Sequence, residues 1–309
     1  MIDGIYSVIV IFLIFSVGVL FTIRKLWPQN TPAVLSAIVV KIAVPALVVI
    51  SITDRFTPEL LRGSAKSLLV IALYMALLFL TGKIFSKAFH LPAGKKHVYE
   101  ISFIFANAVY IGLPVNQLVL GADSLPYLFT FYLVSITVFW TIGAHELAKA
   151  SPLQIKGFSF KRIMNPAFVS VLIACILVET QISIPVFLDS ALRYLSALAV
   201  PLALLVIGSN LVFFTSGIPK IYKDEWFILC AKFIISPLYM YALLSIFGIK
   251  GMAFKVFLLT ATMPCHTQTA ILAELYEVES AYASKLVSIS TLASLITIPF
   301  FTSIILYIS

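Results

Sequence analysis

The sequence predicts an all-α polytopic membrane protein, and three observations support this fold class. First, 61% of the 309 residues are hydrophobic and only 11% are charged, whereas a soluble domain carries about a quarter charged residues. Second, the apolar residues form runs of about 20 residues, the length of a bilayer-spanning helix. Third, the gaps between these runs are short and leave no sizeable extramembrane domain. This pattern excludes a soluble enzyme, a disordered chain and a coiled coil.

Ten apolar segments are bounded by charged residues, Pro and Gly. They cover residues 4–23, 32–53, 65–86, 97–119, 124–148, 166–180, 187–214, 226–247, 254–276 and 282–307. The first is interpreted as a transmembrane helix rather than a signal peptide, because no basic region precedes it and no small-residue cleavage site precedes Arg24. The longest gap is polar and basic and lies near the centre. We therefore expect a first repeat at 1–150, a short cytoplasmic linker at 151–165 and a second repeat at 166–309.

The distribution of Lys and Arg predicts the orientation. Odd-numbered gaps hold 13 of the 21 cations, even-numbered gaps hold 6, and Lys41 and Lys232 lie inside segments. Because basic loops stay in the cytoplasm, we expect both termini outside a cytoplasmic (inner) membrane. The net charge of +8 is explained by basic loops that orient the protein in the membrane, so no nucleic-acid partner is expected.

Short internal matches indicate a repeat. Ala43-Val44-Pro45 recurs as Ala199-Val200-Pro201, and Asp123-Ser124 corresponds to Glu279-Ser280 at the same offset of 156 residues. Each half would hold five segments, and an odd number forces the second half to enter the membrane inverted. We therefore expect ten transmembrane helices arranged as two inverted five-helix repeats.

Segments four and nine combine helix breakers with uncharged polar side chains. These residues are Asn107, Gly112, Pro114, Asn116 and Gln117 in segment four, and Pro264, His266, Thr267 and Gln268 in segment nine. The breaks lie roughly ten residues, or about 15 Å, into the membrane. Interrupted backbone at that depth persists only inside protein or along a wet cavity. We expect two broken helices whose opposed halves direct positive N-termini and free carbonyls at one point near the bilayer centre, which suits a small anion with or without a cation.

Other functional classes lack support in the sequence. We find no phosphate-binding loop, no HExxH and no calcium loop, so no enzymatic activity is expected. Cys175, Cys230 and Cys265 lack metal-ligand spacing. A channel-like uniporter would need a ring of charges or carbonyls along a pore. A sensor of lipids or small molecules would need an output domain. Both remain alternatives to a carrier.

The motifs of the chain resemble those of the auxin efflux carrier family. They are Phe105 to Gly121 with Asn107 and Gly112-Leu113-Pro114, Ala43-Val44-Pro45-Ala46-Leu47, Asn165-Pro166, Pro201-Leu202-Ala203-Leu204 with Gly208, and Met263-Pro264 through Glu274 and Tyr276 to Thr291-Leu292 and Ile298-Pro299. The resemblance spans nearly the whole chain. The short central gap looks like that of prokaryotic members, for which malate and malonate are proposed substrates.

The resemblance implies a ten-helix, two-repeat secondary transporter in which broken helices four and nine cross at the substrate site. It also implies that a small organic anion, such as a carboxylate, is moved by elevator-like alternating access. In plant members the crossover Asn meets the auxin carboxylate, and Asn107 is the matching position. Pro264 matches the crossover proline of helix nine. Ala106 replaces the first crossover proline, so Asn107 holds that break with less help. Coupling to Na⁺ or H⁺ and a homodimer stay open.

We therefore expect substrate contacts from Asn107, Asn116, Gln117, His266, Thr267 and Gln268, and backbone shaping by Pro45, Gly112, Pro114, Pro201 and Pro264. Lys41, about nine residues into segment two, would attract the anion, since ionisable residues inside a membrane are functional candidates. No resident metal or cofactor is expected. A Na⁺ site near Asn107 and Thr267 stays open. Lys232 is interpreted as snorkelling to the interface, and Glu100 and Glu146 as flanking the cytoplasmic surface.

Overall fold

The computed structural model describes residues 2–153, 164–214 and 220–307. This part of the chain is helical, and its only β-type pairing is one antiparallel bridge between Ala106 and Cys265. The helices fall into ten consecutive segments. They are α1 (Ile2–Ile23), α2 (Thr31–Arg55), α3 (Pro58–Ala88), α4a (Ala93–Ile104) and α4b (Ala108–Leu120), α5 (Ala122–Ala150), α6 (Pro166–Thr180), α7 (Val186–Ser196 and Ala199–Phe214), α8 (Lys223–Ile246), α9a (Gly251–Ala261) and α9b (Thr267–Leu275), and α10 (Ser280–Tyr307).

The predicted helical class is confirmed, and the segments coincide with the apolar runs. By length and composition, six helices can cross a membrane, and these are α2, α3, α5, α7, α8 and α10. The shorter apolar helices are Ile9–Ile23, Ala108–Leu120, Pro166–Thr180 and Gly251–Ala261. The ten-span inverted repeat and the positions of the termini remain predictions. Most of the predicted linker at 151–165 lies outside the described residues, which omit 154–163.

Side-chain caps explain where several helices begin. The Asn165 side chain accepts a hydrogen bond from Phe168 N at 3.1 Å, and Pro166 occupies the first turn of α6. Thr57 caps α3 in the same way, ahead of Pro58. A proline at this position loses nothing, because the first N–H groups of a helix have no intrahelical acceptor. Asn-Pro and Thr-Pro pairs therefore start helices locally.

Helices α1 and α7 approach each other closely through glycine. A Cβ atom at Gly208 would lie 2.1 Å from the carbonyl oxygen of Phe15, and one at Gly18 would lie 2.4 Å from that of Leu205. Ser209 Oγ also donates to Leu205 O within its own helix at 2.8 Å. Small residues are the usual means by which helices pack in lipid, where no hydrophobic force draws them together. This pair is therefore fixed by backbone contact.

The remaining helices pack in pairs from both halves of the chain. Helix α6 lies along α2, much as α1 lies along α7. Helix α3 meets α8, where the Tyr74 and Ser236 hydroxyls share a buried hydrogen bond. Helix α4a packs on α10, and α9a packs on α5. Each pair joins one helix of the first half to one of the second, so the two halves are intertwined.

Charged side chains gather at the two ends of the bundle. At one end, Arg193 of α7 holds Asp54 of α2 through two hydrogen bonds of 2.8 and 2.9 Å, and Arg55 binds Asp123 at 2.8 Å. At the other end, Lys285 pairs with Glu225 at 2.6 Å. This second end carries the odd-numbered loops, and we call it the basic end. The apolar middle therefore holds few charges.

Candidate functional site

The two broken helices cross and are joined through their backbones. The amide of Asn107 donates to the carbonyl of Pro264 at 2.8 Å, and the amide of His266 donates to the carbonyl of Phe105 at 3.1 Å. These two bonds form the bridge between Ala106 and Cys265. The unwound residues of the two helices thus pair their backbone N–H and C=O groups with each other. This pairing removes the free-energy cost of unpaired backbone groups inside an apolar bundle.

Asn107 holds the first break through its side chain. Its Oδ1 accepts from Tyr110 N at 3.1 Å and so caps α4b, while Nδ2 donates to Thr267 Oγ1 at 2.9 Å. An Asn in this position replaces an intrahelical acceptor that the first turn lacks. Thr267 is the first residue of α9b. One side chain therefore starts one half-helix and contacts the start of the other.

Lys232 stabilises the same break from α8. Its ammonium donates to Phe103 O at 3.0 Å and to Phe105 O at 2.8 Å, and the residue is 1% exposed. These carbonyls lie at the C-terminal end of α4a, where intrahelical donors run out. The snorkelling interpretation of Lys232 is not what the structure shows, because the side chain points inward to a helix end that the sequence pattern alone does not place beside it.

Within the described part of the chain, two small cavities flank the crossing. The first, the Asn107 cavity, has a volume of about 20 Å³, and its polar lining consists of Asn107, Tyr110, Asn210, Thr267 and Thr291. The second, the His266 cavity, has a volume of about 10 Å³ and is lined by His266, Gln268, Tyr110 and Tyr132 with apolar Val40, Val44, Val109 and Ala167. Tyr110 borders both. The crossing is therefore reached from two sides.

Several buried polar atoms beside the crossing lack a hydrogen-bond partner within the described residues. They are Asn116 Oδ1, Gln117 Oε1, His266 Nδ1, Gln268 Oε1 and Thr269 Oγ1. Buried polar groups in folded proteins are nearly always bonded to protein or ordered water. His266 and Gln268 both line the His266 cavity. An arrangement of this kind can bind a polar ligand without first breaking protein hydrogen bonds.

The other predicted site residues lie outside the lining of the two cavities. Asn116 is buried and donates to Gly112 O at 2.7 Å, and Gln117 is half-buried. Neither Asn116 nor Gln117 lines the two cavities. Lys41 is exposed on α2 and lines neither cavity, although its neighbour Val40 borders the His266 cavity. The structure thus brings together Asn107, His266, Thr267 and Gln268, and leaves Lys41 outside the group.

The predicted backbone-shaping residues occupy bends or close contacts. Pro264 lies in the break of α9, and Pro45 and Pro114 follow π-helical turns at Val39–Ala43 and Ala108–Gly112. A Cβ atom at Gly112 would lie 3.2 Å from Asn107 O, a tight contact. Pro201 lies in the first turn of the second part of α7. These bends and helix starts tolerate proline, because the backbone N–H group that proline lacks is not required there as an intrahelical donor.

Sequence reasoning did not identify Tyr110, Tyr132, Asn210, Thr291 or Lys232 as site residues. Asn210 carried a usable signal, since an amide in the middle of an apolar segment is expensive unless it has a role. Lys232 carried the same signal and was assigned to the interface instead. Tyr110 and Tyr132 gave no such signal, because an amphipathic tyrosine ring is common at many positions in membrane proteins.

Comparisons with known proteins identify the family of the chain. The sequence profile of a family described as membrane transport proteins matches residues 3–157 and 151–302. An uncharacterised transporter of Methanocaldococcus jannaschii is 24% identical over 302 residues, which cover 94% of this chain and 95% of that protein. One of Methanothermobacter thermautotrophicus is 24% identical over 310 residues, or 98% of each chain. The resemblance to auxin efflux carriers is thereby confirmed, and the chain belongs to this family of membrane transport proteins.

Proposed function

We propose that the chain is a secondary carrier that moves a small organic anion, such as a carboxylate, across the cytoplasmic membrane. One observation carries this proposal. The N-termini of α4b and α9b meet at the crossing, where Asn107 bonds to Thr267. Two half-helix N-termini concentrate unpaired N–H groups and partial positive charge on one point. The buried ammonium of Lys232 adds a full charge nearby.

The polar side chains at the crossing suit a small polar substrate. We propose that Asn107 and Thr267 donate hydrogen bonds to the anion from the Asn107 cavity, and that His266 and Gln268 contact it through their N–H groups from the other side. The unpaired amide oxygens accept hydrogen bonds, so they suit a hydroxyl or protonated group of the substrate rather than its carboxylate. Asn116 and Gln117 would support α4b from behind. Lys41 would act at a distance, by attracting anions towards α2 before they enter the site.

The packing of the helices supports an elevator-like movement of two inverted repeats. Under the expected repeat, α1 corresponds to α6 and α2 corresponds to α7. The packed pair α1–α7 is therefore the counterpart of the packed pair α6–α2. The pairs α4a–α10 and α9a–α5 exchange in the same way. We propose that α1, α2, α6 and α7 form a scaffold against which the crossing helices move.

For the coupling ion, both Na⁺ and H⁺ stay open. Asn107 Oδ1 and Thr267 Oγ1 already accept hydrogen bonds. Gln268 Oε1 and Thr269 Oγ1 are buried without a partner among the described residues, and such oxygens are suitable ligands for a Na⁺ ion. The dependence of substrate binding on Na⁺ distinguishes the two ions.

A ligand screen followed by transport tests this proposal. Purified protein is heated with dicarboxylates, amino acids and indole acids, with and without Na⁺, because a ligand of the native state raises the melting temperature with its concentration over Kd. The best ligand is then used for counterflow in proteoliposomes. Accumulation of labelled anion against preloaded unlabelled anion supports a carrier. Uptake without counterflow indicates a channel, and binding without uptake indicates a sensor.

A further inference from the structure

A second polar cluster lies away from the crossing, at the basic end of the bundle. It consists of His97 and Glu100 on α4a and Glu146 on α5. One ligand atom from each residue lies within 4.8 Å of the other two. His97 and Glu100 are three residues apart and so share one face of their helix. Both carboxylates were predicted to flank the cytoplasmic surface, and at this end of the bundle they are buried, with Glu100 0% and Glu146 5% exposed.

Glu100 has no cationic partner among the described residues. Its Oε1 accepts from Ser86 Oγ at 2.7 Å, and its Oε2 is buried without any hydrogen-bond partner. Burial of an ionised carboxylate is costly unless a counter-charge compensates it. Ser86 fixes the orientation of the group, as outer-shell partners do for metal-ligating carboxylates. The bare oxygen is therefore an acceptor that still lacks its cation.

Glu146 divides its two oxygens between different partners. Lys149 and Lys83 approach Oε1 at 2.9 and 3.6 Å, whereas His97 Nδ1 lies 3.1 Å from Oε2. A tetrahedral Zn²⁺ ion with bonds of 2.0–2.1 Å places its ligand atoms roughly 3.3 Å apart. The observed separation of Nδ1 and Oε2 is close to this value. The lysines hold Oε1, while Oε2 shares a hydrogen bond with His97 Nδ1 that a bound metal ion would replace.

We propose that His97, Glu100 and Glu146 bind one divalent transition-metal ion of the Zn²⁺ class. One imidazole with two carboxylates suits Zn²⁺ or Mn²⁺, while Mg²⁺ and Ca²⁺ prefer oxygen ligands alone. The ion joins α4a to α5 and thereby braces the half-helix that ends at the crossing. Lys83 and Lys149 weaken the site by partly neutralising Glu146. The metal is a structural or regulatory ligand and takes no part in substrate contact.

Metal titration of the full-length protein tests this site directly. The protein is purified in detergent, stripped with a chelator and titrated with Zn²⁺ against a fluorescent chelator, with excess Mg²⁺ present. We expect one Zn²⁺ per chain. Glu100→Gln keeps the shape of the side chain and should weaken binding on the order of tenfold or more, because it removes an anionic ligand. His145→Ala is the matched control, since this exposed imidazole neighbours Glu146 and should leave binding unchanged.

Two further measurements keep the proposal falsifiable if Glu100→Gln aggregates. Lys149→Gln should tighten Zn²⁺ binding several-fold, since it removes an ammonium 2.9 Å from Glu146. X-ray absorption at the zinc edge of the wild-type protein should show a single imidazole with oxygen ligands. The proposal is overturned by absence of saturable binding, by sulfur ligation, by weaker binding in Lys149→Gln, or by a Glu100→Gln variant that is folded and binds like wild type.

Discussion

The side-chain amide of Asn107 donates a hydrogen bond to the hydroxyl of Thr267 over 2.9 Å. The two residues begin half-helices from opposite halves of the chain, 160 positions apart. Because Asn107 also caps its own helix through Oδ1, one side chain fixes both breaks relative to each other. Any ligand at the crossing meets an amide whose orientation is already set, which lowers the entropy lost on binding.

Replacement of Asn107 separates its capping role from its role in anion binding. Asn107→Ala should weaken binding of the best anion from the screen by about 1.5–3 kcal/mol, the worth of a hydrogen bond to a charged group. Asn107→Asp keeps the capping oxygen but places a negative charge at the site, so it should fold and bind no anion. Isothermal titration measures both variants. Undiminished anion binding by Asn107→Asp would exclude this residue from the site.

Removal of the Lys232 ammonium should destabilise the fold. Lys232→Met leaves Phe103 O without its donor and Phe105 O with only the amide of His266. A buried group that loses its partner costs about 1–3 kcal/mol, so the melting temperature should fall clearly. Lys41→Met is the control, because that lysine is exposed on another helix and its loss should change the melting temperature little. Equal melting temperatures for the two variants would contradict a bracing role for Lys232.

The charge of Lys41 is expected to act on anions only. Lys41→Gln should weaken binding of the anion and leave a neutral analogue of the same shape unaffected, because only the Coulomb attraction is lost. Equilibrium binding of the anion and of the neutral analogue checks this. A loss that is the same for both ligands would assign Lys41 to structure instead.

A single methyl group between α1 and α7 should destabilise the protein. Gly208→Ala places Cβ 2.1 Å from Phe15 O, so the helices must separate, at a cost of about 1–3 kcal/mol. Gly63→Ala is the matched control, because its Cβ meets nothing within 4 Å and alanine favours helix. Thermal unfolding of both variants in one detergent gives the comparison. The contact would be irrelevant to stability if Gly208→Ala melted no earlier than Gly63→Ala.

Loop labelling tests the predicted orientation. Lys87→Cys, in the last turn of α3, and Lys250→Cys, in the loop before α9a, introduce exposed thiols at opposite ends of the bundle, in a background where the exposed Cys230 is serine. The positive-inside rule predicts that an impermeant maleimide labels only Lys250→Cys in intact cells and both variants in broken membranes. The reverse pattern would place the basic end outside.

Much of the site was predictable because each break carries its own chemical signal. Pro264 cannot donate a backbone hydrogen bond, and Asn107 readily accepts one at a helix start, so both positions interrupt an apolar run visibly. The role of Tyr110 was not predictable, and the signal of Asn210 did not reveal its location beside the crossing, because α7 and α4b approach each other only after the chain has folded. Lys232 was misassigned for the same reason: its acceptors, Phe103 O and Phe105 O, lie on another helix.

The sequence by itself determined the helical class, the positions of the ten segments and the two breaks, because hydrophobic periodicity and helix breakers act over a few neighbouring residues. Only the tertiary structure decided which carbonyls Lys232 meets, that Lys41 lies outside the cavities, and that Glu100 and Glu146 are buried beside His97. Those outcomes depend on contacts between distant segments. In lipid such contacts are set by close packing and hydrogen bonds rather than by the apolar composition shared by all helices.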